Sequence, residues 1–153
     1  MQKLVLYSAI VVTVLLACSK DKYENKPNIK IKSIDPTQAA LNQSMSIRLE
    51  FTDKQGDLDT VWVKKERVNT VQVATNPLLL AYQLPDFPEK TKGEIQLTLD
   101  YNTALITAVS PRNQQGAPNN KEPDTLILKF IVKDKAGNIS DTIASDKVVI
   151  ERY

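Results

Sequence analysis

Residues 45–52 read Met-Ser-Ile-Arg-Leu-Glu-Phe-Thr. Apolar side chains occupy every second position from Met45 to Phe51, and polar side chains fill the positions between them. Because successive side chains of a β-strand point to opposite faces of the sheet, this stretch predicts a strand with one buried face and one solvated face.

Two later stretches, residues 94–101 and 125–133, repeat the same alternation. Weaker strand patterns lie at residues 28–34, 59–65, 71–84 and 142–151. The one stretch with some helical character, residues 36–43, is too short for a normal helix and is interpreted as a connection. Several short strands separated by turn signals predict an antiparallel sandwich of two sheets around one core.

The composition and strand spacing of residues 28–153 are similar to those of the immunoglobulin-like domains of secreted bacterial proteins. Trp62 falls on the third predicted strand, as in that fold, although a chain with one Cys has no disulfide to flank it. The resemblance implies an all-β, immunoglobulin-like antiparallel β-sandwich of about seven strands, and it assigns no activity.

The first 18 residues have a different character. Lys3 is the only charged side chain before residue 20, and the apolar run at residues 4–16 is interrupted only by Ser8 and Thr13. A membrane-spanning helix needs about 20 apolar residues, so this run is too short to be one. A charged start, a short apolar run and a small residue at its end are typical of a secretory signal.

The apolar run ends in Leu15-Leu16-Ala17-Cys18, which resembles the lipobox of bacterial lipoproteins. The resemblance implies that residues 1–17 are a lipoprotein signal peptide and that Cys18 is acylated with chains such as palmitate. Two or more acyl chains anchor a protein stably to a membrane. An ordinary cleaved signal or an uncleaved anchor are the alternatives, but neither explains why the only Cys lies at this position.

Residues 18–27 are mostly polar, lack apolar periodicity and include Pro27, so we interpret them as the acylated Cys and a flexible tether. Ser19 stands where an Asp would, by resemblance to enteric lipoproteins, favour retention in the inner membrane. We therefore expect a lipid anchor in the outer membrane, on either its periplasmic or its cell-surface face.

The overall composition excludes several classes of function. The 153 residues include no His, and 20 Lys and Arg face 18 Asp and Glu, for a net charge of +2. The lack of imidazole excludes His-dependent nucleophilic catalysis and His-bearing zinc centres. The small net charge argues against a nucleic-acid partner.

The chain contains two similar acidic turns. Residues 53–57, Asp-Lys-Gln-Gly-Asp, are echoed by residues 134–138, Asp-Lys-Ala-Gly-Asn, and each follows a predicted strand. Asp at the first position and Gly at the fourth are typical of tight hairpin turns. Hairpin chemistry alone is therefore one interpretation of both turns.

A second interpretation is a calcium site that uses both turns. If every connection reverses the chain direction, the two turns lie at the same pole of the sandwich, where the first strand begins. Ca²⁺ takes six to eight oxygen ligands, although this spacing does not match an EF-hand. The candidate ligands are Asp53, Asp57 and Asp59 of the first turn and Asp134, Asn138 and Asp141 of the second. A site at a pole that faces the tether favours a structural ion over capture of an external ligand.

These observations favour a membrane-anchored, non-catalytic binding or structural module that requires no cofactor. The alternative is an accessory subunit of an envelope complex, because residues 78–82 form an apolar run that either packs into the sandwich or docks a protein partner. The least supported alternative is a hydrolase that uses Asp57 and Asp134, since glycosidases need two carboxylates about 5 to 9.5 Å apart across a cleft.

Overall fold

A computed structural model describes residues 25–153 of the chain. The predicted signal peptide at residues 1–17 and the predicted acylation site at Cys18 lie outside the described residues. The strands are β1 (Asn28–Asp35), β2 (Gln38–Ala39), β3 (Met45–Thr52), β4 (Leu58–Arg67), β5 (Leu79–Gln83), β6 (Lys92–Leu99), β7 (Asp124–Asp134) and β8 (Ile143–Ile150). Two short helical turns lie at Tyr101–Leu105 and Pro118–Asn120.

The strands form two facing sheets, which confirms the predicted all-β sandwich. One sheet has the order β1-β3-β6, and the other has the order β2-β8-β7-β4-β5. All neighbours are antiparallel except β2 and β8, which are parallel. The adjacency of β8, β7 and β4 matches the G, F and C strands of an immunoglobulin-like sandwich. The two-residue β2 lies within residues 36–43, where the sequence predicted only a connection.

The core lies between the inner faces of the two sheets, where the alternating patterns predicted it. Met45, Ile47 and Leu49 of β3 are fully buried, as are Leu128 and Phe130 of β7. Full burial of such a side chain contributes roughly 1.5–3 kcal/mol. The inner faces of β3 and β7 therefore supply a large part of the stabilising apolar contact.

Trp62 departs from the immunoglobulin pattern. It lies on β4, the fourth strand once β2 is counted, and its side chain is half-buried. Strand alternation turns Val61 and Val63 into the core and Trp62 to the outer face, where the ammonium of Lys133 is 5.8 Å from the ring centroid. The tryptophan thus makes a surface cation–π contact instead of forming the centre of the core.

The middle stretch at residues 71–84 contains only one strand, β5, at the edge of the five-stranded sheet. Leu80 and Tyr82 pack against the core. Leu79 points away from it and is 61% exposed. The apolar run is thus divided between packing and exposure.

Both acidic turns lie at one end of the sandwich, which we call the acidic pole (residues 53–57 and 134–138). β1 begins at the same end, since Asn28 is paired with Thr52. The ammonium of Lys26 lies 2.5 Å from the carboxylate of Asp141, and Pro27 is buried. The chain therefore enters the fold at the acidic pole, as the reversal of direction at each connection predicted.

The opposite end holds a buried ion network around Asp124. Arg67 Nε donates to Asp124 Oδ1 at 2.9 Å, and Arg152 Nη1 donates to Oδ2. The backbone N–H groups of Thr107 and Ala108 donate to the same carboxylate. No helix within residues 25–153 is long and apolar enough to cross a membrane.

Candidate metal centre

The first acidic turn carries the chain from one sheet to the other. β3 pairs with β1 and β6, whereas β4 pairs with β5 and β7, so the turn between β3 and β4 is a crossover. The hairpin interpretation of this turn is therefore wrong. Asp53 Oδ2 accepts hydrogen bonds from the backbone N–H of Gly56 at 2.6 Å and of Asp57 at 3.1 Å, which folds the turn around the carboxylate. Gly56 has a φ of +71°, a conformation that glycine adopts without strain.

The crossover is held against the segment that precedes β6. The N–H of Asp53 donates to the carbonyl of Thr91 at 2.9 Å, and the N–H of Lys90 donates to the carbonyl of Gly56 at 3.1 Å. A Cβ at residue 56 would lie 2.5 Å from the nitrogen of Lys90. The backbone of this segment thus leaves no room for a side chain at residue 56.

The second acidic turn is a hairpin between β7 and β8, as the turn chemistry predicted. Asp134 Oδ1 accepts from the backbone N–H of Asn138 at 2.7 Å, and Oδ2 accepts from the Asn138 side-chain amide at 2.7 Å. Gly137 has a φ of +92°. Asn138 therefore holds Asp134 in place from both its backbone and its side chain.

The two turns bring three carboxylates together. Asp53, Asp57 and Asp134 each contribute one oxygen, and these oxygens lie within 4.8 Å of one another. Asp53 and Asp134 are 0% exposed, and Asp57 is half-buried. The backbone N–H of Lys135 donates to the carbonyl of Asp57 at 3.0 Å, which joins the two turns directly.

Several oxygens of the first turn lack a hydrogen-bond partner. Within residues 25–153, four buried side-chain atoms have none, and three of them belong to this turn: Asp53 Oδ1, Gln55 Oε1 and Asp57 Oδ1. Leaving a buried acceptor unsatisfied costs about 1–3 kcal/mol, and more for a charged group. These three unsatisfied oxygens lie within five consecutive residues, and a hydrogen-bond donor or a cation in this turn would satisfy them.

The electrostatics of the three carboxylates favour a cation. Burial raises the pKa of Asp57, and the neighbouring Asp134 and Asp53 raise it further. The ammonium of Lys135 is instead paired with Asp86 at 2.8 Å. A divalent cation among the three carboxylates would replace their mutual repulsion with attraction.

The structure places the remaining predicted ligands outside this group. Asp59 is the second residue of β4 and lies 3.7 Å from the ammonium of Lys133. Asp141 pairs with Lys26 at the surface. Asn138 turns its amide nitrogen toward Asp134, so its role is to orient that carboxylate.

Gln55 was absent from the predicted ligand set. The sequence contained a signal for it, since residues 53, 55 and 57 alternate oxygen-bearing side chains along the turn. Its side-chain carbonyl oxygen is buried and has no hydrogen-bond partner within the described residues.

Comparisons with known proteins give no family assignment. No protein-family model matches the sequence. No curated protein matches it either. Among solved structures, the chain is similar to a β-glucosidase from Listeria innocua in complex with glucose, with 13% identity and a TM-score of 0.40. The complex of a Listeria innocua β-glucosidase with gluconolactone gives 13% identity and a TM-score of 0.39. In both cases the match covers 84% of this chain and 16% of the β-glucosidase.

Proposed function

We propose that the chain is a non-catalytic envelope lipoprotein, anchored to the outer membrane through Cys18, whose β-sandwich binds a structural Ca²⁺ ion at the acidic pole. The observation that carries the proposal is the cluster formed by Asp53, Asp57 and Asp134, in which the buried Oδ1 atoms of Asp53 and Asp57 have no hydrogen-bond partner within the described residues. No single segment of the chain forms this cluster, since its two turns are about 80 residues apart.

The donor set favours calcium over other metals. All the candidate ligands are oxygens, the chain has no His, and its one Cys precedes the folded domain. Oxygen ligands suit hard cations, whereas zinc and other transition metals favour sites with nitrogen or sulfur. Ca²⁺ accepts irregular arrangements of oxygens at 2.3–2.6 Å, while Mg²⁺ demands near-ideal octahedral geometry.

The position of the ion suggests its role in the fold. It would connect the β3–β4 crossover, which joins the two sheets, to the β7–β8 hairpin. A ligand that binds only the folded state stabilises it, by about 2.7 kcal/mol at a free concentration one hundred times the dissociation constant. We therefore expect the ion to stabilise the connection between the sheets at this pole.

The lipid anchor is supported by the lipobox resemblance, and the place where the chain enters the fold sets which end of the sandwich would face the membrane. Six residues lie between Cys18 and Asn25, and the chain from one to the other spans at most about 25 Å. The acidic pole would then lie close to the membrane surface. This placement supports a structural ion over a site for an external ligand.

The burial of the carboxylates supports a non-catalytic role. Asp53 and Asp134 have no exposed surface, and each accepts hydrogen bonds from its own turn. A hydrolase would need both of its carboxylates to reach the substrate. Buried acids that are held by backbone N–H groups fit ion binding better than general acid–base catalysis.

Thermal unfolding with and without calcium tests the ion site. The wild-type chain should melt several degrees higher in millimolar CaCl₂ than in chelator, because the ion binds only the folded state. Asp57→Asn removes one charge from the cluster. This variant should melt at or above the wild-type temperature in chelator, and calcium should raise its melting temperature by less than half the wild-type increase.

Asp59→Asn is the matched control, because Asp59 lies in the same region but outside the three-carboxylate group. Its calcium-induced increase should equal that of the wild-type chain. A wild-type melting temperature that is the same in chelator and in millimolar calcium would reject the ion site.

A second candidate function is that of an accessory subunit of an envelope complex. It is favoured by β5, an edge strand whose Leu79 is 61% exposed. Edge strands can accept a partner strand by backbone hydrogen bonding. Co-purification of one stoichiometric protein from solubilised membranes, lost in Leu79→Lys, would favour this candidate over a stand-alone module.

A further inference from the structure

We propose that the side-chain carbonyl of Gln55 is a fourth protein ligand of the ion and that it favours Ca²⁺ over Mg²⁺. This inference rests on the proposed calcium site. Gln55 would add a neutral ligand to the three carboxylates and would affect which ion the site selects.

The side chain of Gln55 lies in an environment that fits a metal ligand. Its Oε1 is buried and has no hydrogen-bond partner within the described part of the chain. Glutamine has a long, flexible side chain, which ordinarily turns its carbonyl to water when no protein donor is present. A carbonyl oxygen withdrawn from water without a donor fits a ligand of a cation.

The position of Gln55 in the turn is the second argument. Asp53 and Asp57, two residues before and two residues after it, belong to the three-carboxylate group. Lys54, between the first two, is exposed. The turn is folded around the carboxylate of Asp53 by the N–H groups of Gly56 and Asp57, so residue 55 lies within a closed loop beside that carboxylate.

The chemistry of an amide oxygen is the third argument. The three carboxylates lie within 4.8 Å of one another and together already exceed the charge of one divalent ion. A fourth carboxylate would increase their mutual repulsion, whereas an amide adds an oxygen without adding charge.

The number of protein oxygens bears on the choice of ion. Ca²⁺ accepts six to eight oxygens, whereas Mg²⁺ takes six in a compact octahedron and tends to keep several waters. Each additional oxygen from the protein therefore favours the larger ion. A loss of the Gln55 oxygen should weaken Ca²⁺ binding more than Mg²⁺ binding.

Calorimetric titration of the full chain with CaCl₂ and with MgCl₂ tests the proposal. Gln55→Leu removes the oxygen and keeps most of the side-chain volume. We expect a roughly tenfold weaker affinity for Ca²⁺, which corresponds to about 1.4 kcal/mol, and a lower preference for Ca²⁺ over Mg²⁺. The adjacent exposed Lys54→Arg keeps the local charge, is the matched control and should leave both affinities unchanged.

Gln55→Glu separates a ligand role from a packing role, because it keeps a carbonyl-type oxygen at the same position. It should bind Ca²⁺ more tightly than Gln55→Leu and should melt at a lower temperature than wild type in chelator. Failure of Gln55→Glu to exceed Gln55→Leu in Ca²⁺ affinity would overturn the proposal.

The outcome for Gln55 can be told apart from the outcome for the site itself. Gln55→Leu with wild-type affinity for Ca²⁺, together with weakened binding in Asp57→Asn, would reject Gln55 as a ligand and leave the calcium site intact. The absence of Ca²⁺ binding by the wild-type chain would reject both.

Discussion

Lys65 shows how a single residue can oppose the pattern of its strand. Alternation places residues 61, 63, 65 and 67 of β4 on its inner face, and Lys65 is only 1% exposed. Its ammonium makes one long hydrogen bond, 3.4 Å, to the carbonyl of Ile106. Burial lowers the pKa of Lys65, and the nearby Asp124 offsets part of that effect.

Replacing Lys65 with Met should stabilise the protein at neutral pH. Met has a similar length and no charge to bury, and replacement of buried charges by apolar side chains of similar volume is often neutral or stabilising by about 1–4 kcal/mol. Urea unfolding at pH 7 provides the measurement. Lys64→Met, the exposed neighbour of Lys65, is the control and should change the free energy of unfolding little.

The benefit of Lys65→Met should depend on pH. Because the pKa of Lys65 is lower in the folded state, the unfolded chain binds more protons between the folded pKa and the unfolded value of 10.5. Wild-type stability relative to Lys65→Met should therefore increase as the pH rises through this interval. An advantage of Lys65→Met that stays the same from pH 7 to pH 10 would contradict a lowered pKa of Lys65 in the folded protein.

At the scale of elements, the two acidic turns have similar sequences but make different kinds of connection between strands. The first joins two sheets and is enclosed by the segment before β6, whereas the second is a surface hairpin. Their glycines show the difference. A Cβ at Gly56 would lie 2.5 Å from the nitrogen of Lys90, but a Cβ at Gly137 would meet nothing within 4 Å.

The glycines therefore form a matched pair for mutagenesis. Gly137→Ala should cost about 1–2 kcal/mol, because its positive φ is unfavourable for a residue with a Cβ. Gly56→Ala should cost distinctly more, since the same strain is combined with a clash against backbone atoms. Thermal unfolding in chelator compares the two, and equal losses would show that the segment at Lys90 yields to the added methyl group.

The strands with clear alternation are the elements that the sequence predicts best. The alternation at residues 45–52, 94–101 and 125–133 predicted β3, β6 and β7, because a half-buried strand has to expose one face and bury the other. The turn motif at residues 53–57 is the same in a hairpin and in a crossover, because it carries no information about the sheet to which the next strand belongs. The resemblance to the immunoglobulin fold indicates a strand for Trp62, but the alternation of β4 is what assigns its side chain to the outer face.

The sequence also predicts part of the candidate site. Direction reversal at successive connections was enough to bring Asp53, Asp57 and Asp134 to one pole. The local pairing of Asp59 and Asp141 with lysines depended on side-chain positions that spacing does not encode. The Asp124 network was missed because Arg67 and Asp124, at the ends of their strands, look like solvent-exposed charges in the sequence.

At the scale of the whole molecule, the two ends of the sandwich are held in different ways. At the far end, Asp124 is surrounded by two arginines and two backbone N–H groups, so its charge is compensated within the protein. At the acidic pole, three carboxylates converge, and within residues 25–153 none of them forms an ion pair with a Lys or Arg side chain. Only the end at which the chain enters the fold thus depends, in our proposal, on an ion from outside.

The two ends of the sandwich differ, so the point at which the N-terminus is attached decides which end would face the membrane. If Cys18 is acylated, six residues lie between it and Asn25, and Asn25 is held within about 25 Å of the lipid. Cys18→Ser removes the acylated side chain and should release the protein from the membrane fraction, because the apolar run at residues 4–16 is too short to span a bilayer. Fractionation and intact-mass measurement should show a lipid-modified Cys18 as the first residue of the wild-type chain.

Ser19→Ala is the control and should remain membrane-bound. Tight attachment of Cys18→Ser to the membrane would show that something other than acylation anchors the protein.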